Sequence, residues 1–217
     1  GDVYMCHLLE QAVANNARFT QVALFTGSNA SLKSTFFKPV AVNCILAPTI
    51  GICTASRFLL RRGLVASSMA VADSIVDGDS YFIAEIKSMR RLMQLADREP
   101  FCWFFIDEIL KGTNTVERIA ASAAVLRYLQ QANCLCFAAT HDIELTAILN
   151  NIYDNYHFRE TVAADGVYFD YILHNGPATT RNAILLLQRM AFPAKVTEAA
   201  NQLVARFEQQ GEWGRLT

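Results

Sequence analysis

The sequence predicts an α/β fold, with a mostly parallel central sheet between helices, a late β-hairpin and helices at the C-terminus. Three observations carry this expectation. Strand and helix patterns alternate along the chain with short punctuation, residues 101–106 and 134–139 are apolar almost throughout, and Asp165-Gly166 separates two alternating segments. A run with no polar face suits a strand covered on both sides, as in a parallel sheet packed between helical layers. An Asp-Gly pair between alternating runs suits a tight hairpin turn.

The elements follow in order. Residues 22–26 read as a strand, and a helix is expected from Lys33 to about Leu46. Residues 49–54 and 63–68 read as extended segments. Gly78, Asp79 and Ser80 open a long helix ending near Leu95, in which Ile83, Ile86, Met89, Leu92, Met93 and Ala96 recur at three- and four-residue steps. That spacing predicts one apolar stripe. After the strand at 101–106, a helix is expected over 116–131, a strand over 134–139 and a short helix over 144–149. The hairpin pairs 156–162 with 167–173. Two helices close the chain at about 180–190 and 194–210, with Pro193 suited to starting the second.

A chain of 217 residues with 53% hydrophobic and 18% charged residues can bury a large core, and no linker-like stretch divides it. One domain over residues 1–217 is therefore expected. Mean hydropathy is +0.20, yet no apolar run approaches the roughly 20 residues of a spanning helix. The start of the chain also lacks the layout of a secretory signal. A cytoplasmic protein with no membrane association is the expectation. A net charge of −1 gives no general attraction to nucleic acid, and the clusters Arg57, Arg61, Arg62 and Lys87, Arg90, Arg91 read as solvated faces. Cysteines at 102, 134 and 136 lie in apolar runs without metal-ligand spacing, and read as buried reduced thiols.

Four segments carry chemistry. The first is Gly27, Ser28, Asn29, Ala30, Ser31, Leu32, Lys33, Ser34 and Thr35, between a strand and a helix. It meets the phosphate-loop pattern G-x-x-x-x-G-K-[ST] at Gly27, Lys33 and Ser34, with Leu32 in place of the second glycine. Backbone N–H groups and a helix N-terminus there converge on anionic oxygens, Lys33 reaches the outer phosphates, and Ser34 ligates magnesium. The second is the apolar run ending in Asp107-Glu108. At the crevice end of a parallel strand, Asp107 would hold Mg2+ and Glu108 would orient or deprotonate the attacking water. The third is Thr140-His141-Asp142, where His141 either contacts a terminal phosphate or its water, or caps the next helix. The fourth is Asp77-Gly78-Asp79-Ser80, which suits both an anion site and simple N-capping.

These segments together resemble the ATPase domain of the MutS family of DNA mismatch repair proteins, a branch of the ABC-type P-loop NTPases. The resemblance covers nearly the whole chain. It runs through residues 26–35, 71–82, 105–118, 139–146 and 176–182, and Asp107-Glu108-Ile109-Leu110-Lys111-Gly112-Thr113-Asn114-Thr115 is similar to the family's D-E-I-x-x-G-T-x-T string. It implies ATP and Mg2+ as cofactors and a homodimer closing around composite sites. Lys33, Ser34, Asp107, Glu108 and His141 would come from one subunit, with Ser80 offered in trans. Residues 112–115 would line that interface. DNA would be held by other domains, for which the short segment before Gly27 leaves no room, so this is expected to be the C-terminal part of a longer protein or a truncated form.

Three positions depart from the family. Leu32 is expected to weaken ATP binding relative to Leu32→Gly, because a leucine forced to positive φ costs on the order of 1–2 kcal/mol. Cys6-His7-Leu8-Leu9 stands where the family has His-Pro-Leu, out of register. Ala191 stands where it favours glycine, and reads as a packing change. Two alternatives accompany the ATPase reading: an interaction module that has lost its nucleotide through Leu32, and another ABC-type head from a transporter or a chromosome-maintenance protein.

Overall fold

The computed structural model describes residues 2–5, 13–20, 22–27, 32–69, 81–163, 166–178 and 182–215. Strands β1 (Asp2–Met5) and β2 (Val13–Asn16) form a two-stranded antiparallel sheet. The main sheet has six strands, β3 (Ala23–Thr26), β4 (Leu64–Ser68), β5 (Cys102–Asp107), β6 (Cys134–Ala139), β7 (Asp154–Ala163) and β8 (Gly166–Asn175). Their spatial order is β4-β5-β6-β3-β7-β8, and every pairing from β4 across to β7 is parallel. The expected α/β architecture with a mostly parallel sheet is thus present, and β7 and β8 are neighbours at its end as the expected hairpin requires, while its turn at residues 164–165 lies outside the described residues. The helices are α1 (Leu32–Ile50), α2 (Tyr81–Arg98), α3 (Thr115–Gln131), α4 (Glu144–Ile148), α5 (Ala183–Arg189) and α6 (Ala194–Gln210). Among the described residues, none of them is long and apolar enough to cross a membrane.

The chain divides into two compact units, residues 1–159 with 171–178, and residues 160–170 with 179–217. In the first, strand alternation sends each sheet face to a different helical layer. Leu24, Phe104, Ile106, Cys136 and Ala138 share one buried cluster with Met89 and Leu92 of α2 and Leu126 and Leu129 of α3. The residues between them, Phe25, Phe105 and Phe137, meet Phe36 and Phe37 of α1 on the other face, with Phe25–Phe37 centroids 4.9 Å apart and Phe105–Phe137 5.1 Å. Burial of Cys44 and Cys134 pushes their thiols up to about 12, so they remain protonated and inert, as buried thiols do.

Several expectations are corrected. The segment 49–54 is not extended: α1 continues through Thr49 and Ile50, and Gly51 ends it at φ +71 with its N–H on Ala47 O. Thr54 N then donates to Asn43 Oδ1 (2.8 Å), so a buried side chain takes the amide a ladder would have used. Helix α2 runs from Tyr81 to Arg98; the expected start at residues 78–80 lies outside the described residues, as does Thr180 before α5. The predicted stripe on α2 is also incomplete. Met89 and Leu92 are buried, but Ile83 and Ile86 are exposed and Glu85 is buried instead.

Ala191 is corrected too. It sits at φ +58 just after α5, with its N–H on Gln188 O (3.1 Å) and Phe192 N–H on Leu187 O (3.1 Å). That pair of bonds is the Schellman arrangement, in which the left-handed position favours glycine for lack of a Cβ. The family's glycine therefore has a backbone reason, and not only a packing one. Ala191→Gly should raise the stability of the unit containing α5 and α6 by up to about 1 kcal/mol, the relieved strain less the extra chain entropy. Calorimetry checks this, and a lowered Tm refutes it.

Candidate functional site

The C-terminal ends of β3, β5 and β6 lie side by side, since Phe25 and Asp107 both pair with Ala139. Crevices at such strand ends are where open α/β sheets place ligands. Gly27, just past β3, has φ +132, and an added Cβ would meet Phe158 O at 3.4 Å. The positive φ accounts for glycine there, since the Cβ contact would be an ordinary one. Ser28, Asn29, Ala30 and Ser31 lie outside the described residues. Leu32 begins α1 with helical backbone and a buried side chain. It is absent from the positive-φ residues, so the strain expected of it is not present.

Lys33 is buried and its Nζ donates to Gly27 O at 2.9 Å. One helical step on, the Ser34 hydroxyl donates to Asp107 Oδ2. A hydroxyl beside a single carboxylate is a hard-oxygen pair that fits a cation such as Mg2+, which keeps water and phosphate oxygens for its remaining positions. Among the described residues there is no cluster of three or more His, Cys, Asp or Glu that could hold a metal alone. Thr35 follows in the same helical turn.

Glu108 leaves β5 at φ +57, a left-handed conformation uncommon for a residue with a side chain. Its N–H stays on the ladder, donating to Ala139 O at 3.1 Å. Strain of this kind gathers at functional positions. Both carboxylate oxygens are engaged: Oε2 accepts from Lys111 Nζ, and Oε1 lies 3.0 Å from His141 Nε2. Partial burial works to raise this carboxyl, but the hydrogen bonds and charges of Lys111 and His141 outweigh it and hold the group below its usual 4.5.

His141 thereby belongs to this cluster, and the start of α4 carries no side-chain cap bond. Its Nδ1 lies 3.0 Å from Gly27 O, so the ring bridges the predicted phosphate loop and Glu108. Each ring nitrogen faces an oxygen acceptor, and both contacts are N–H···O bonds only in the protonated ring. A pocket of about 310 Å3 opens here, lined by Glu108, Lys111, Arg118, Thr140, His141 and Asp142.

The structure thus gathers Gly27, Lys33, Ser34, Asp107, Glu108 and His141, while Ser80 lies outside the described residues. Sequence reasoning gave no role to four contributors. Lys111 stands three residues after Glu108, a spacing that could have suggested the ion pair. Arg118 and Asp142 form a two-point ion pair (Nε–Oδ2 2.8 Å) across 24 positions, and no local pattern announces it. Glu85 accepts from Lys111 N (3.2 Å) and Gly112 N (2.9 Å), a pairing across 26 and 27 positions that no local spacing announces.

Residues 23–208 match the family described as MutS domain V. The chain is 31% identical over 188 residues to "DNA mismatch repair protein MutS 2" of Halobacterium salinarum, covering 85% of this chain and 22% of that protein. It is 29% identical over 187 residues to "DNA mismatch repair protein MutS" of Natronomonas pharaonis, covering 84% and 22%. It therefore spans about a fifth of the length of these relatives. With most of its length matched and the site residues gathered where that match runs, the chain belongs to the MutS domain V family.

Proposed function

We propose that residues 1–217 act as one cytoplasmic ATP-binding and ATP-hydrolysing domain of a MutS-like DNA mismatch repair protein, dimerising around composite sites. The observation that carries this is the meeting of three strand ends: Ser34 on Asp107, Lys33 on Gly27, and His141 between Gly27 and Glu108. In this reading Gly27, the loop after it and the first turn of α1 cradle the phosphates, with Lys33 turning from Gly27 O to the outer ones. Ser34 and Asp107 would hold Mg2+, which would supply charge neutralisation at the phosphates when bound. Glu108 would orient or deprotonate the attacking water, and His141 would contact that water or the terminal phosphate.

The partner subunit would complete the site through its Ser80, and DNA would be bound by domains outside this chain. Such an arrangement is two-fold and self-complementary. Binding would favour the closed pair and hydrolysis would release it. Against the competing reading, in which Leu32 abolishes nucleotide binding, stand its helical backbone and the contacts of Lys33 with Gly27 and of Ser34 with Asp107.

Thermal unfolding with and without Mg-ATP tests the binding step. At a concentration about 100 times Kd, binding to the native state alone adds about 2.7 kcal/mol, enough for a clear rise in Tm. ATP without magnesium should give a smaller rise. An unmoved Tm across millimolar Mg-ATP would reject the ATPase reading.

A further inference from the structure

We propose that Arg118 is a positioning residue for His141, acting through its two-point ion pair with Asp142. This rests on the ATPase reading above and deepens it at one residue.

About a third of the His141 side chain (34%) is exposed, so packing alone does not fix the ring. Its backbone neighbours do. On one side Thr140 N donates to Phe25 O at 3.0 Å, tying the loop to β3. On the other, Asp142 N donates to Thr140 Oγ1 at 3.0 Å, and the Asp142 carboxylate receives Arg118 Nε at 2.8 Å and Nη2 at 2.5 Å. A guanidinium fork fixes the direction of a carboxylate as well as its distance, which a lysine ammonium does not. The pair is largely shielded, with side-chain exposures of 21% and 10%.

The support behind the fork is rigid. Arg118 lies near the start of α3, and its N–H closes onto Asn114 O at 2.9 Å. Asn114 caps the helix, accepting from Glu117 N at 3.0 Å and donating to Glu117 Oε2 at 2.7 Å. A cation near a helix N-terminus opposes the helix dipole, so helix stability does not account for an arginine here. Its contact with Asp142 does. Thr140 and Asp142 thus hold the histidine from both sides, one through the sheet and one through α3, and the imidazole is left aligned on Glu108 Oε1 and Gly27 O.

The test uses the full chain with Arg118→Met, Arg118→Lys, Asp142→Asn and the exchanged double variant Arg118→Asp/Asp142→Arg. Misplacing a catalytic group by an ångström costs up to about a hundredfold, so Arg118→Met should lower kcat about 10- to 100-fold with KM for Mg-ATP nearly unchanged. Arg118→Lys should recover only part of this, Asp142→Asn should fall with Arg118→Met, and the exchanged pair should exceed Arg118→Asp or Asp142→Arg alone. The ring signals of His141 in heteronuclear NMR, assigned by their loss in His141→Gln, should shift in Arg118→Met and return toward wild type in the exchanged pair. Unchanged kcat overturns the proposal, as does a fall in activity that only tracks lost folded protein. If the wild-type chain shows no turnover, the ATPase reading fails on its own, and unshifted His141 signals then overturn the positioning role separately.

Discussion

Glu108→Gln is expected to lower ATP turnover by about 10²- to 10⁴-fold, the usual contribution of a positioned general base, while leaving nucleotide binding intact. The amide keeps the shape and one acceptor oxygen, so Lys111 retains a partner. The backbone at φ +57 is not disturbed, because no atom of the main chain changes. What is lost is the ability to take a proton. The variant should therefore accumulate the nucleotide-bound closed dimer, visible as a larger species by light scattering with Mg-ATP. Unchanged steady-state turnover would remove Glu108 from the mechanism and leave its strained backbone without a catalytic explanation.

Gly112→Ala is the second large effect. A Cβ at this position would come within 2.9 Å of Phe82 Cβ, 3.1 Å of Phe82 Cα and 3.1 Å of Glu85 Oε2. Two of those three atoms belong to the α2 main chain or its first side-chain carbon, which no rotamer change can move away. The segment must shift, and Glu85 then loses the amides of Lys111 and Gly112 that it accepts while almost fully buried. Overpacking costs about 1–3 kcal/mol, and a buried carboxylate deprived of its donors adds to that. Denaturant unfolding should show a midpoint lowered accordingly, with the slope unchanged. Because Lys111 is the neighbour that holds Glu108, turnover should also fall in molecules that remain folded. A midpoint equal to wild type would mean that α2 and the loop after β5 are not packed as described.

Much of the architecture was legible because burial on both sides of the sheet left strands with no polar face. The bounds of β6 follow directly from its apolar run, and those of β5 differ by one residue at each end. The α1 helix was legible at its start and misread at its end, where Thr49 and Ile50 carry β propensity but sit within helical reach of Ile45 and Leu46 carbonyls. Glycine 51 outweighed propensity there. The strands β1 and β2 were missed, since Val13-Ala14-Asn15-Asn16 contains residues that strands disfavour. In the site, Lys33, Ser34, Asp107 and His141 were readable because each lies at or shortly after the end of an apolar strand. The Arg118–Asp142 pair and the two amides on Glu85 depend on tertiary proximity, for which a single sequence has no periodic trace. Ala191 was visible as an oddity, but its meaning needed the dihedral angle.

The missed strand β2 has one further consequence. Asn15 is buried, with its side-chain amide donating to Tyr171 O at 2.8 Å and its oxygen accepting from Leu173 N at 2.7 Å, while Tyr171 itself is kinked to φ +56. Strand β8 is the last of the six-stranded sheet, and open sheet borders invite intermolecular zipping. Here one asparagine occupies two of the backbone groups a neighbouring molecule would use, Tyr171 O and Leu173 N, and the kink spoils the flat line along which fibrils grow.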